Sequence, residues 1–536
     1  MLNFYSCSFA ILILLAGCSE ETASGGAGGQ GGAGGGGGAG GGGLNPCTID
    51  GVVQNVPVNP DRALDLLVVI DDSASMRDEQ EKLREQVPRL VNLLLTGGEV
   101  DPGAVGEFPA IRSLHVGIIT PNLGHSTVPP HNFTAGSGPG VDFNPTSTCM
   151  TNDGDGKAGV MQVEGLSGTP REICTAVTPR EGALYLNFPE PGFTEADLIS
   201  DVTCVIGQGD GCGFEQQLES ILASDRNTAN GEFNRDDALL AVILVTDEDD
   251  CSTTDPRVFD VEARASNPFQ GPFTPTDGLL QPNLRCWAHS GALHPVQRYV
   301  EEVAKLKPDP SQVVFAAITG IPEDSALDRE NFNSDEERYD AILAADDMME
   351  VPDPAAADTR GQGLRPTCNA ADGSGPAAPG RRIVETMEGL ASGNTEVGTV
   401  VESICAEDYA PALNAIVDRI AAALRQLCLP RPLNRNSVDM VGCEVREVQP
   451  EGDTCATAGR GREEVAVCAE DGREVCRVTQ LPSDPVAGVP EGLGWFYDDF
   501  TQETLDACAF NPEQQRVNFT EGAGPVTGAR VRFECL

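Results

Sequence analysis

Four near-continuous apolar runs punctuate the chain, at residues 64–70 (LDLLVVI), 114–120 (LHVGIIT), 239–246 (LLAVILVT) and 313–319 (VVFAAIT). Runs of this length without strict alternation suit parallel strands buried on both faces. Around them the period lengthens to that of helices. Leu83, Val87, Leu90 and Leu94 mark one face of a charged segment from 77 to about 95, in which Pro88 predicts a kink. Residues 214–223 and 295–306 are two further helical stretches. Residues 412–427 are the last, with an apolar stripe of Leu413, Ile416, Val417, Ile420 and Leu424. Strands alternating with helices predict an α/β fold: a doubly wound, mainly parallel sheet flanked by helices. Ligands of such sheets gather beyond the carboxyl ends of the strands.

Two polar loops occupy those ends. Asp71-x-Ser73-x-Ser75 follows the first run and precedes a helix; Asp247 directly follows the third. Side chains of this kind can cap a helix N-terminus. Their oxygens also suit a hard divalent cation, and Mg²⁺ in particular keeps several waters in a near-octahedral shell. At these residues the chain resembles the von Willebrand factor A-type domain family. Its metal-ion-dependent adhesion site combines a D-x-S-x-S loop after the first strand, a Thr from a second loop and an Asp after a later strand. The resemblance implies that Asp71, Ser73, Ser75 and Asp247 hold a divalent cation, Mg²⁺ first, with Ca²⁺ and Mn²⁺ as alternatives. It also implies an open coordination position for the carboxylate of a protein or extracellular-matrix ligand. The second loop corresponds to residues 207–212 (GQGDGC), where Gly209 stands at the family's Thr; Asp210 or a water then supplies the missing oxygen. The strings CGFEQQLE (212–219), VTDEDDCS (245–252) and VESIC (401–405) extend the likeness over roughly residues 60–536. They are similar to surface lipoproteins of myxobacteria and relatives, a group that includes metal-dependent adhesins linked to gliding.

Other motifs have plainer readings. Glu248, Asp249 and Asp250 are expected to form a solvated acidic rim, with a second Ca²⁺ site as the alternative. Asn152-Asp153-Gly154-Asp155-Gly156 reads as a tight turn, since the acidic first ligand and the bidentate Glu of a calcium loop are missing. Cys286-x-x-His289 with His294 is a weak zinc pattern, and Cys286 is expected to be oxidised. Trp495, Phe496 and Tyr497 are read as core rather than as a carbohydrate platform. There is no H-E-x-x-H, G-x-S-x-G or Walker-type phosphate loop, and five histidines offer little for imidazole chemistry. No enzyme is expected.

Composition adds the setting. Asp and Glu number 82 against 35 Lys and Arg, a formal charge of −47 over 536 residues. Nucleic-acid binding is excluded on that ground, because it rests on basic side chains releasing counterions. Of 18 cysteines, Cys7 and Cys18 lie in the leading segment. The rest are scattered from Cys47 to Cys535 with no C-x-x-C pair, which predicts up to eight disulfides in an oxidising compartment. Residues 9–16 (FAILILLA) form an apolar core, too short to span a bilayer and suited to a signal peptide. Leu15-Ala16-Gly17-Cys18 then resembles a bacterial lipobox, although no Lys or Arg precedes the core. That likeness implies cleavage before Cys18, lipidation of Cys18 and, with Ser19 next, sorting to the outer membrane. The expected organisation is a signal peptide at 1–17, a lipidated Gly-rich tether at 18–46, an A-type domain with long insertions at 47–432, and a cysteine-rich, mostly β domain at 433–536. The expected function is metal-dependent binding by a lipid-anchored envelope protein; the alternative is a scaffolding lipoprotein whose metal only stiffens its loops.

Overall fold

In a computed structural model of the chain, the structure describes residues 63–535 except 98–109, 125–155, 168–171, 177–181, 210, 212–213, 236–237, 260–281, 308, 354–363, 374, 393–394, 426–428, 430–431, 450–453, 459–460, 468–472, 487, 508–514, 521 and 525–529. The signal segment, Cys18, the tether, Asp210 and residues 152–155 of the tight turn therefore lie outside the described residues.

Along the chain come β1 (Ala63–Ile70), α1 (Arg77–Thr96), β2 (Ser113–Ile119), the hairpin β3 (Glu164–Ser167) and β4 (Glu172–Thr175), β5 (Leu186–Phe188), α2 (Glu195–Ile206) and α3 (Gln217–Arg226). Then follow β6 (Leu239–Val245), α4 (Pro282–Ala288), α5 (Val296–Val303), β7 (Val313–Thr319), α6 (Asp335–Ala344), the short pair β8 (Cys368–Asn369) and β9 (Pro376–Ala377), α7 (Arg381–Ser392), β10 (Gly398–Ser403) and α8 (Ala410–Arg425). Six strands form one sheet in the order β10-β7-β6-β1-β2-β5. All neighbours are parallel except the edge strand β5, which runs antiparallel to β2. The chain winds outward in one direction from β1 through β2 and in the other from β6 through β7. The β1/β6 junction is thus the topological switch point, where this class of sheet opens a crevice.

The side-chain alternation of a strand explains why helices cover both faces. Leu64, Leu66, Val68 and Ile70 of β1 pack with Leu83, Val87 and Leu90 of α1, Val202 of α2 and Ile416 of α8. Leu67 and Val69 face the other way, toward Leu218 of α3, Tyr299 of α5 and Ile383 and Met387 of α7. Asp65, on the strand between them, is buried and held by Arg235, Lys307 and His115.

Disulfides staple the connecting segments. Cys174–Cys204 ties β4 to α2, Cys251–Cys286 ties the loop after β6 to α4, and Cys368–Cys405 ties β8 to the chain just beyond β10. Cys286 is therefore no thiolate, which removes the zinc pattern. Among the described residues no helix is long and apolar enough to cross a membrane.

Beyond α8 lie β11 (Cys443–Val448), α9 (Cys455–Ala458), β12 (Arg462–Val467), β13 (Glu474–Val478), β14 (Trp495–Asp498), α10 (Gln502–Ala507), β15 (Arg516–Phe519) and β16 (Arg530–Cys535). They form an antiparallel sheet ordered β12-β13-β11-β16 and a separate β14-β15 pair, with a Cys455–Cys476 disulfide. A core of its own gathers Val445, Val478, Trp495, Tyr497 and Phe533. Trp495, Phe496 and Tyr497 are all buried, and the Trp495 indole N–H donates to the Val478 carbonyl at 3.2 Å. These rings build the core and present no sugar platform.

Candidate metal centre

The site grows from the ends of β1 and β6. Asp71 prolongs their ladder by one residue, its amide donating to the Val245 carbonyl at 3.0 Å. The chain then turns sharply, because Asp71 Oδ1 accepts the Ser73 amide at 2.8 Å. A short acceptor side chain bonding two residues on makes a turn of its own. The Ser73 and Ser75 hydroxyls come to lie 2.9 Å apart, and the Ser75 hydroxyl donates to Asp247 Oδ1 at 3.3 Å. The Thr246 hydroxyl donates to Asp71 Oδ2 at 2.6 Å, and the Gln80 amide holds the Asp71 carbonyl at 2.8 Å. Asp71, Ser73, Ser75 and Asp247 thus form one hydrogen-bonded chain across the switch point. Ser73 stands where a helix cap would, yet its side chain caps no helix N–H.

Among the described residues, the grouping of carboxylates that could hold an ion is a different one. Oxygens of Asp71, Asp72 and Glu215 all lie within 4.8 Å of one another. All three residues are buried, and neither Glu215 oxygen has a hydrogen-bond partner. Glu215 sits just ahead of α3, and Asp72 occupies an unassigned position of the D-x-S-x-S loop; sequence reading overlooked both. The signal for Glu215 was its place between a Gly-rich loop and a helix beyond the sheet's carboxyl edge. Gly211 closes directly on Asp72: its amide donates to the Asp72 carbonyl at 3.0 Å. A Cβ on Gly211 would lie 2.1 Å from Asp72 Oδ1, so glycine is required there.

Electrostatics leave this cluster short of positive charge. Burial pushes the Asp71 carboxyl up to about 6, although hydrogen bonds from Thr246 and Ser73 pull the other way. Burial also raises Asp72, opposed by the Lys157 ammonium 2.9 Å away. Glu215 and Asp247 are raised well above the ordinary carboxylate range, by burial first and then by the acids around them. Such a group of acids is relieved by taking up protons or by a cation. The donors are carboxylates and hydroxyls, the set a hard divalent ion takes, and the two orphaned Glu215 oxygens fit one.

The acidic run after Asp247 is only in part the solvated rim expected of it: Glu248 and Asp249 are half-buried, and Asp250 is buried. Asp249 accepts the Arg382 amide at the start of α7, at 3.0 and 3.2 Å. Asp250 is buried and accepts the Leu218 amide of α3 at 3.0 Å and the Arg382 guanidinium at 3.2 Å. These acids are turned inward because two helix N-termini offer them amide donors. Beside them lies a cavity of about 230 Å³, bordered by Glu215, Glu248, Trp287 and Glu350 among others.

No protein-family model matches the chain, and no curated protein matches it.

Proposed function

We propose that this chain is a lipid-anchored envelope protein whose central sheet is a von Willebrand A-type domain, and that it binds a protein or matrix ligand through a divalent cation. The observation that carries the reading is the meeting of the Asp71–Ser75 loop with Thr246 and Asp247 at the switch point of the sheet. The doubly wound, mainly parallel sheet flanked by helices supports the same reading. Asp71, Ser73, Ser75 and Asp247 would hold the ion, with Asp72 and Glu215, the two carboxylates grouped with Asp71, as further oxygen ligands. Bound there, the cation supplies an electron-poor position for an acidic side chain of the partner. Around it the protein's own groups do the orienting: Thr246 fixes one Asp71 oxygen, the Ser73 amide fixes the other, and Gln80 pins the backbone. The lipid anchor at Cys18 and the outer-membrane address belong to the same proposal.

One observation favours the scaffolding alternative. Asp71, Asp72 and Glu215 are almost fully buried, and Ser75 is the half-buried member of the chain that leads to the surface. An ion so deep can serve the loops alone.

A single variant tests the reading. Mg²⁺ and Mn²⁺ affinity is measured by titration calorimetry on the full chain and on Asp71→Ala. The expected result is one site in the native chain and none in the variant, with the fold retained by circular dichroism. Equal binding by both proteins would overturn the assignment. Thermal stabilisation by metal without metal-dependent capture of any carboxylate-bearing ligand would favour scaffolding.

A further inference from the structure

Asp72 belongs to the acidic cluster and is wholly buried. The basic group that faces it among the described residues is Lys157, whose ammonium is 2.9 Å from Asp72 Oδ2 and donates to Gln208 Oε1 at 2.8 Å. Gln208 is itself buried and pinned, its amide donating to the carbonyls of Glu164 and Val205.

Lys157 comes from the long segment between β2 and β5, and a fixed turn delivers it. Its amide donates to the Asn122 carbonyl at 2.8 Å, just after β2, and its carbonyl accepts the Val160 amide at 2.8 Å. Gly156 has φ +54°, and a Cβ there would meet the Gly124 amide nitrogen at 2.3 Å. On the other flank, the Asn227 and Asn230 side chains donate to the carbonyls of Ala158 and Gly159 at 3.0 and 2.9 Å. The turn's backbone is therefore held on both sides, by main-chain bonds on one and by asparagine side chains on the other. What can move is the lysine side chain, which is about one-fifth exposed.

We propose that Lys157 is a tethered counter-cation that competes with the divalent ion for Asp72, so that the ion enters by displacing the ammonium toward Gln208 and solvent. The inference rests on the metal reading above. Two like charges a few ångströms apart repel strongly where protein has replaced water, so the ammonium lowers the affinity of the neighbouring site. Without metal, the same ammonium keeps a buried carboxylate from standing alone, a situation that is costly in a protein interior. The insertion thereby sets the cation concentration at which the site fills.

The test titrates MgCl₂ and MnCl₂ into the full chain as native, Lys157→Met and Lys157→Arg. Lys157→Met is expected to bind the ion roughly tenfold or more tightly, since removing the positive charge removes the repulsion; Lys157→Arg should stay near the native affinity. Unchanged or weaker binding by a folded Lys157→Met would overturn the inference and leave the metal reading intact. No binding by the native chain would overturn both. A second measurement needs no variant: acylation of lysine amines followed by peptide mass spectrometry, with and without Mg²⁺. The label on Lys157 should rise several-fold with Mg²⁺ while exposed Lys305 stays constant; a Lys157 rate indifferent to a bound ion would count against displacement.

Discussion

Two buried aspartates on one strand meet opposite treatment. Asp65 enters β1 near its start, and Asp71 leaves it at the other end; both are fully buried. Around Asp65 the fold has assembled cations. The Arg235 guanidinium lies 2.7 Å from Oδ1, and the Arg235 backbone amide donates to Oδ2 at 2.7 Å. The Lys307 ammonium is 3.2 Å away and fully buried, and His115 Nδ1 is 3.5 Å away. Asp71 faces hydroxyls, an amide and other carboxylates. At one end of the sheet a buried charge is matched, and at the other a group of charges is left in deficit. A matched network stabilises. A deficit is destabilising in the bare protein and becomes useful when something from outside corrects it.

Breaking the matched end should have the largest effect. Asp65→Ala leaves the fully buried Lys307 and the half-buried Arg235 without their carboxylate, and removing one partner of a buried pair costs about 3–5 kcal/mol. The urea midpoint should fall accordingly. The double variant Asp65→Ala/Lys307→Met should recover part of the loss, because it removes the charge that was stranded. A loss under about 1 kcal/mol in the single variant would mean that the cations find other partners, and the contrast would lose its force.

The two ends also differ in how far the sequence disclosed them. The four apolar runs became β1, β2, β6 and β7 nearly residue for residue, because strands covered on both faces need continuous apolar side chains. The edge strands escaped. β5 has three residues, and β10 reads GTVVES with both ends half-exposed, so neither produces a run. α7 does carry a helical stripe, Ile383, Val384, Met387 and Leu390, but it adjoins an acidic, Ala- and Pro-rich stretch with no period of its own. Asp71 and Asp247 were legible because strand, loop and residue type coincide. Asp72, Glu215 and Lys157 were not. In a chain with 82 acids residue type alone singles out no Glu, so that only the place of Glu215 between a Gly-rich loop and a helix marks it, and the lysine reaches Asp72 from 85 positions away through a turn that no local pattern announces.

A smaller effect should sharpen the deficient end through pH. In the metal-free protein the Asp71 carboxyl is pushed from 3.8 up to about 6. Between those values the folded chain keeps a proton that the unfolded chain has released, so stability falls as pH rises through the window and the loss is complete above it. At about 1.4 kcal/mol per unit this is on the order of 3 kcal/mol at neutral pH. Asp71→Asn cannot ionise there. The difference in stability between native and variant should vanish below about pH 4 and grow in the variant's favour up to about pH 7. Saturating Mg²⁺ at pH 7.5 should reverse the order, since the native chain alone gains from the ion. Parallel stability curves for the two proteins across the window would show that Asp71 is not the group in deficit.

The smallest change in stability should come from Glu215→Gln, and it separates charge from hydrogen bonding. The native carboxylate is crowded by Asp71, Asp72 and Asp247, so replacing it with a neutral isostere relieves repulsion. The new amide, however, inherits a position in which neither carboxylate oxygen had a partner. A buried polar group without a hydrogen bond costs about 1–3 kcal/mol, which offsets most of the relief. Metal-free stability should therefore stay within about 1 kcal/mol of native. Metal binding should not: a carboxylate ligand has been lost, and the rise in melting temperature on adding Mg²⁺ should shrink in the variant. If that rise is unchanged, Glu215 is a buried protonated acid and not a ligand, and the ion rests on the Asp71–Asp247 chain of oxygens without it.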